Sequence, residues 1–132
     1  MWVYEIPTGK LFDKTGVLKG QGYSGNGADL DNPAAENVIG HGPIPEGEWQ
    51  IGKFESYPHL GELAAPLTPM LGNDMDGREG GFFMHGDNAK MNFTASDGCI
   101  IQNYDTRLAV SISGDDQLRT VRDASTCFAQ AA

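Results

Sequence analysis

The segment "HGDNAKMNFTASDGC" carries a histidine, His85, and a cysteine, Cys99, fourteen residues apart and separated by turn-forming residues. Cysteine chemistry runs through the thiolate, and a free thiol has a pKa of roughly 8.5. A nearby imidazole can take the thiol proton and activate the sulfur. The minimum set is therefore a cysteine, a histidine and a group that orients the histidine. Gly86 follows His85 and leaves its backbone unhindered, so its carbonyl could hold the imidazole Nδ1–H and turn Nε2 toward the thiol. Gly98 precedes Cys99 and permits a tight turn. The N–H groups of Gly98 and Cys99 could then face a developing oxyanion. Ser96 and Asp97 are short polar residues of the kind that brace such turns. On spacing alone a second reading stays open, because free cysteines are among the most buried residue types and are usually inert.

For the pair to meet, two strands must lie side by side. "FFMHG" reads as a short apolar strand ending at the histidine, and "CIIQN" as a strand opening at the cysteine. Around them the chain reads as short strands and turns, punctuated by 18 Gly and 7 Pro. Residues Trp2 to Ile6 and "KLFD" form an N-terminal hairpin or meander. "EWQIGKF", "RLAVSIS" and "QLRTVRD" read as further strands, the last entered through the "GDD" turn. The stretch "HLGELAAPL" is the one weak helix candidate, cut short by Pro66. A long loop, "GYSGNGADLDNPAAENVIGHGPIPEG", is rich in Gly, Asn, Asp and Pro, and loops of that length are often functional. The expected architecture is one compact, mostly β domain over residues 1–132, a curved sheet or sandwich with little helix and a loose tail from 123 to 132.

The bulk numbers narrow the partners. A chain of 132 residues suits one domain with its own core. The formal net charge of -9 argues against nucleic acid, whose phosphates need clustered Lys and Arg. No apolar run approaches the ~20 residues that span a bilayer. The start "MWVYEIPTGK" has no basic, then apolar, leader, so no secretory signal is expected. His41 and His59, taken with His85 and Asp29, Asp31 or Asp87, match no metal-ligand spacing, and no metal or other cofactor is expected. The acidic stretch "GNDMDGREGG" lacks the final Glu of a calcium loop. The "NFT" sequon at Asn92 is too common a match to carry weight. Cys127, with no neighbouring histidine, reads as structural or as a free tail thiol.

Taken together, "GPIPEGEWQIG", "GREGGFFMHGD" and "SDGCII" resemble the YkuD-type L,D-transpeptidase domain. The chain is most similar to its compact branch of type VI-secreted effectors, in which "WVYEIPTGKLF", "GYSG" and "DNPAAENVIGHGPIPEG" also have counterparts. The match keeps the family's order to about Ile112. It implies a curved β fold acting on peptidoglycan stem peptides without a cofactor. Cys99 would be the nucleophile, His85 the base and the Gly86 carbonyl the orienter, with Ser96, Asp97 and Gly98 framing the turn. Cys99 would attack the carbonyl after meso-diaminopimelate in a tetrapeptide and expel D-alanine. Water would then complete a carboxypeptidase reaction, and an amine would complete transpeptidation or D-amino-acid exchange. Such an effector would act in the periplasm of a target cell and would need an immunity protein as partner.

Two positions depart from the family. Asp97 stands where a histidine usually precedes Gly-Cys, and "CIIQN" lacks the usual arginine. An aspartate there raises the thiol's pKa unless its charge is offset, and Arg107 is the candidate to offset it. Arg107, Arg78 and Lys90 are also candidates to grip substrate carboxylates, while Tyr23 and Ser24 are candidates to line the cleft. Two rival readings remain. One is a stem-peptide-binding module without turnover, which Asp97 favours. The other is an NlpC-type cysteine endopeptidase, which the order His85 before Cys99 disfavours.

Overall fold

The computed structural model describes residues 1–128. Among the described residues ten strands and one α-helix follow one another. The first three, β1 (Trp2–Glu5), β2 (Lys10–Phe12) and β3 (Leu18–Gln21), form the expected N-terminal meander. The rest are β4 (Tyr23–Ser24), β5 (Gly47–Ile51), β6 (Glu55–Tyr57), β7 (Gly61–Pro69), β8 (Phe82–His85), β9 (Ile100–Ile101), α1 (Tyr104–Ile112) and β10 (Gln117–Val121). The sheet order is β3-β2-β1-β10-β5-β7-β8-β9-β4, with β6 added beside β7. The two strands at its ends, β3 and β4, are separated by Gly22 alone. The sheet therefore bends into a nearly closed barrel, a mostly β fold as expected.

Inward-facing residues alternate along the strands and meet in one core. It contains Trp2, Tyr4, Leu11, Trp49, Leu67, Phe82, Met84, Ile100 and Leu118, capped by Val110 from α1. Trp49 and Phe82 pack edge to face with centroids 5.3 Å apart. The long loop is not excluded from this core. It carries β4 and 3-10 turns at Gly27–Asp29 and Pro33–Ala35, and it buries Ala35 and Ile44. A 3-10 turn at Ala124–Cys127 ends the described chain, and the last part of the expected loose tail, 129–132, lies outside it. Among the described residues no helix is long and apolar enough to cross a membrane.

Two sequence expectations are corrected. "RLAVSIS", read as a strand, belongs to helix α1. Asn103 caps it, its side chain accepting the Thr106 N–H at 2.8 Å, and Asp105 sits in the first turn, where the helix dipole favours a negative charge. The apolar alternation of Leu108, Val110 and Ile112 misleads. The buried face is Thr106, Arg107 and Val110, a helical spacing, while Leu108 and Ile112 are exposed. Conversely "HLGELAAPL", the weak helix candidate, lies largely in β7. Ala64 and Ala65 are both fully buried, so the strand is covered on both faces and shows no period-two signal. Pro66 costs the sheet little, since its carbonyl still accepts the Gly52 N–H at 2.8 Å.

Thr120 joins loop and core. Its hydroxyl accepts the Trp49 indole N–H at 3.0 Å and donates to the Pro45 carbonyl at 2.7 Å. Replacement by isosteric valine strands both partners in a buried place. Thr120→Val is expected to lower unfolding free energy by about 1–3 kcal/mol, read as a lower urea midpoint with an unchanged slope.

Candidate active site

His85 ends β8 and is buried. Its Nδ1 lies 2.8 Å from the Gly86 carbonyl oxygen, which places the ring proton on Nδ1 and leaves the Nε2 lone pair available. Burial pushes the imidazole pKa below its ordinary value. The Gly86 bond works against that shift, the Arg107 charge adds to it and Asp87 opposes it. The ring is therefore neutral at neutral pH.

Strands β8 and β9 run parallel, with Met84 opposite Ile100 and His85 opposite Ile101. One step back, this register sets Cys99 beside Phe83, and the Phe83 N–H donates to Cys99 Sγ at 3.3 Å. Cys99 thus stands immediately before the neighbouring strand, two residues out of step with His85. Burial pushes its thiol up, the Phe83 N–H lowers it, Asp97 raises it and Arg78 lowers it. The resting pair is a neutral thiol and a neutral imidazole, with no hydrogen bond directly between them.

The turn before Cys99 is held from below. Ser96 is fully buried, and its hydroxyl donates to the Cys99 carbonyl at 2.6 Å. The same oxygen accepts the N–H groups of Gly25 at 2.9 Å and Gly98 at 3.1 Å. Of the two N–H groups expected to face an oxyanion, Gly98's is therefore already used. Gly98 itself has φ +137, and a Cβ there would sit 2.7 Å from the Phe82 ring and would strike Arg78. Asn26, which the sequence reading did not single out, donates to the Ser96 carbonyl at 2.7 Å and to Asp97 Oδ1 at 3.1 Å.

The other candidates are redistributed. Ser24 does not line the cleft: it is fully buried, donating to the Gly98 carbonyl at 3.0 Å and accepting the Ile44 N–H at 2.9 Å. Tyr23 does line a cavity of about 680 Å³, with Asp31, Asp87, Phe93, Tyr104 and Arg107. Its hydroxyl donates to Asp87 at 2.7 Å, and burial pushes the phenol pKa up. Cys99 opens on a different cavity of about 480 Å³, walled by Phe82, Asp97, Arg78 and the glycine-rich 77–81 segment.

It is Arg78, not Arg107, whose charge acts on the thiol. Arg78 is buried, gives three hydrogen bonds to the carbonyls of Glu36, Pro43 and Asp97, and lies over the Phe82 ring at 5.0 Å. Arg107 is also buried and bonded to carbonyls, so neither guanidinium is the open fork expected for gripping substrate. Lys90 is exposed on the 87–95 loop. Asp31 and Glu36 escaped the sequence reading of the site. Burial raises Asp31 to about 6 and Glu36 to about 7, each against one backbone N–H bond, from Ser24 and Glu46 respectively. No local sequence signal marks either, because their perturbation comes from packing.

A family model of the Tlde1 domain matches residues 19–122, and the chain belongs to that family, a family of type VI secretion effectors. The match spans every residue singled out in the site, from Tyr23 to Arg107. Comparison with curated proteins and with solved structures gives no match.

Two outcomes follow from these ionisations. A raised carboxyl pKa means the folded state holds the proton more tightly than the unfolded chain. Asp31 therefore costs stability as pH rises from about 4, its unfolded value, through about 6, its folded value. Asp31→Asn keeps the Oδ1 acceptor for Ser24. It should melt higher than the parent at pH ~7, with the advantage shrinking by pH ~4. For Cys99, the iodoacetamide rate should still be climbing at pH ~9, whereas an activated thiolate would plateau well below that.

Proposed function

We propose, from membership of the Tlde1 domain family as the premise, that this chain is a cysteine-dependent acyltransferase of peptidoglycan stem peptides. The observation that carries the reading is the parallel β8–β9 register. It brings His85, already oriented by the Gly86 carbonyl, to the strand beside Cys99. The resemblance to L,D-transpeptidases supplies the substrate: a tetrapeptide stem, cut after meso-diaminopimelate.

The neutral resting pair sets the order of proton movements. Cys99 Sγ attacks the carbonyl carbon as His85 Nε2 takes the thiol proton, and the carbonyl π electrons move onto oxygen. The Cys99 N–H is the backbone donor assigned to that oxyanion, since Gly98's is bound to Ser96. Collapse returns the electron pair, breaks the C–N bond and passes the proton from His85 to the departing D-alanine amine. A thioester remains on Cys99. Water or an amine, deprotonated by His85, then attacks it, and the thiol is regenerated as the tetrapeptide becomes a tripeptide or an exchanged stem. Arg78 offsets charge beside the sulfur. The glycine-rich wall at 77–81 leaves backbone exposed beside Cys99, where an extended peptide can lie.

The reading places the protein's action in the periplasm of a target cell, and a producing cell then requires an immunity protein against it. The raised thiol and the occupied Gly98 N–H are what a binding module without turnover would also show. That second reading is decided by the same experiment.

Reduced protein incubated with disaccharide-tetrapeptides, with and without a D-amino acid, should release or replace the terminal D-alanine, as read by mass spectrometry. Cys99→Ala should be silent, and His85→Ala slower by about 10²–10⁴-fold. Bound but unaltered muropeptide with the parent protein would establish the binding module instead.

A further inference from the structure

The notable feature of Arg107 is where its guanidinium sits. Nε donates to the Gln102 carbonyl at 3.0 Å and, more weakly, to the Asn103 carbonyl at 3.3 Å. Nη1 donates to the carbonyls of Glu62 at 2.7 Å and Leu63 at 2.9 Å. One side chain on α1 thus ties the β9–α1 junction to the start of β7, where Leu63 has φ +54, a conformation rare for a non-glycine residue. The remaining nitrogen, Nη2, faces Gly86. A Cβ on Gly86 would lie 2.6 Å from Nη2 and 3.0 Å from Cζ, so the guanidinium rests against that residue's backbone. Gly86 is the residue whose carbonyl holds His85. The junction anchored by Nε is also bonded to the base, because the Gln102 N–H donates to the His85 carbonyl at 3.1 Å.

We propose that Arg107 is the positioning residue of His85. Its buried guanidinium seats the 85–86 backbone, and through it the imidazole, without touching substrate. The role rests on the acyltransfer reading above only for its consequence in turnover; the contact itself does not depend on it. Gly86 must lack a side chain because the guanidinium occupies that space. The charged groups acting on the ring are Arg107 from α1 and Asp87 from the following loop, and Asp87 is itself bonded to Tyr23 on β4. Opposite the ring's own residue, β9 presents Ile101. Among the described residues Arg107 is thus the cation acting on the base, and removing it leaves Asp87 unopposed.

The test uses the whole chain with Arg107→Lys, Arg107→Gln and Gly86→Ala. The His85 ring is titrated by NMR, and tetrapeptide hydrolysis is followed from pH ~5 to ~8. Arg107→Gln is expected to move the His85 midpoint and the acid limb of kcat to higher pH. It should also lower kcat on the order of 10²-fold with KM little changed, as a displaced catalytic group does. Arg107→Lys keeps a charge but cannot make the four-bond fork, so kcat falls while the midpoint stays near the parent's. Gly86→Ala perturbs the same contact from the other side at a residue whose φ alanine tolerates. It should lower kcat and shift the midpoint even if both Arg107 variants fail to fold. An unshifted midpoint and unchanged kcat in folded Arg107→Gln, or in Gly86→Ala, overturns the proposal. Absence of turnover by the parent, with the midpoint still shifting in the variants, would instead defeat the acyltransfer reading and leave the positioning contact standing.

Discussion

A two-residue strand cannot hold its own register, yet the candidate site depends on one that does. β9 consists of Ile100 and Ile101 alone, and its pairing with β8 is what sets Cys99 beside the histidine strand. A slip of one residue would turn Cys99 to the other face of the sheet. The constraint is imposed from outside β9. On its far side β4 pairs with the same two residues, Ser24 opposite Ile100 and Tyr23 opposite Ile101. At its start the Ser96 hydroxyl grips the Cys99 carbonyl, and the Ser24 hydroxyl grips that of Gly98. At its end the Gln102 N–H reaches the His85 carbonyl. The long loop and the near-closure of the barrel serve this one register.

The electrostatics follow from the same enclosure. Burial raises the thiol and lowers the imidazole, so each is held in its neutral form. Such a pair differs from a preformed thiolate–imidazolium pair: in the proposed acyl transfer, proton transfer would accompany attack rather than precede it. Two arginines stand behind the pair, each solvated by main-chain carbonyls rather than by carboxylates. Carbonyl dipoles hold a guanidinium without neutralising it, so its positive field persists at short range in a chain whose formal net charge is -9.

How much of this was legible in the sequence depends on the range of the forces involved. The strand ends at His85 and Cys99, the Gly86 contact and the meander were readable because each is written in adjacent residues. The helix α1 was not. Its apolar residues alternate, and the cue that decides it, Asn103 with Asp105, competes with a stretch that reads equally well as a strand. Strand β7 failed for the opposite reason, since burial on both faces erases periodicity and Ala64-Ala65 favours a helix in isolation. Ser24, Asn26, Arg78 and Arg107 owe their roles to partners twenty or more residues away in most cases, and no local pattern encodes those.

Asp97 shows how a departure from a family pattern is absorbed by geometry. Its residue type, read alone, places a negative charge one step from Gly98-Cys99. In the fold its two polar ends part company. The carboxylate lies on the exposed side, where Asn26 donates to it, while the main-chain carbonyl turns inward to Arg78. The outward carboxylate still acts on the sulfur more strongly than the buried guanidinium, which opposes it from the other side of the turn. The aspartate still raises the thiol, as burial does, and Arg78 and the Phe83 N–H pull the other way. The turn thus tolerates Asp97 on condition that Gly98 stays a glycine. Any side chain at 98 would displace the guanidinium that offsets the carboxylate, and the thiol would then face the negative charge and burial together.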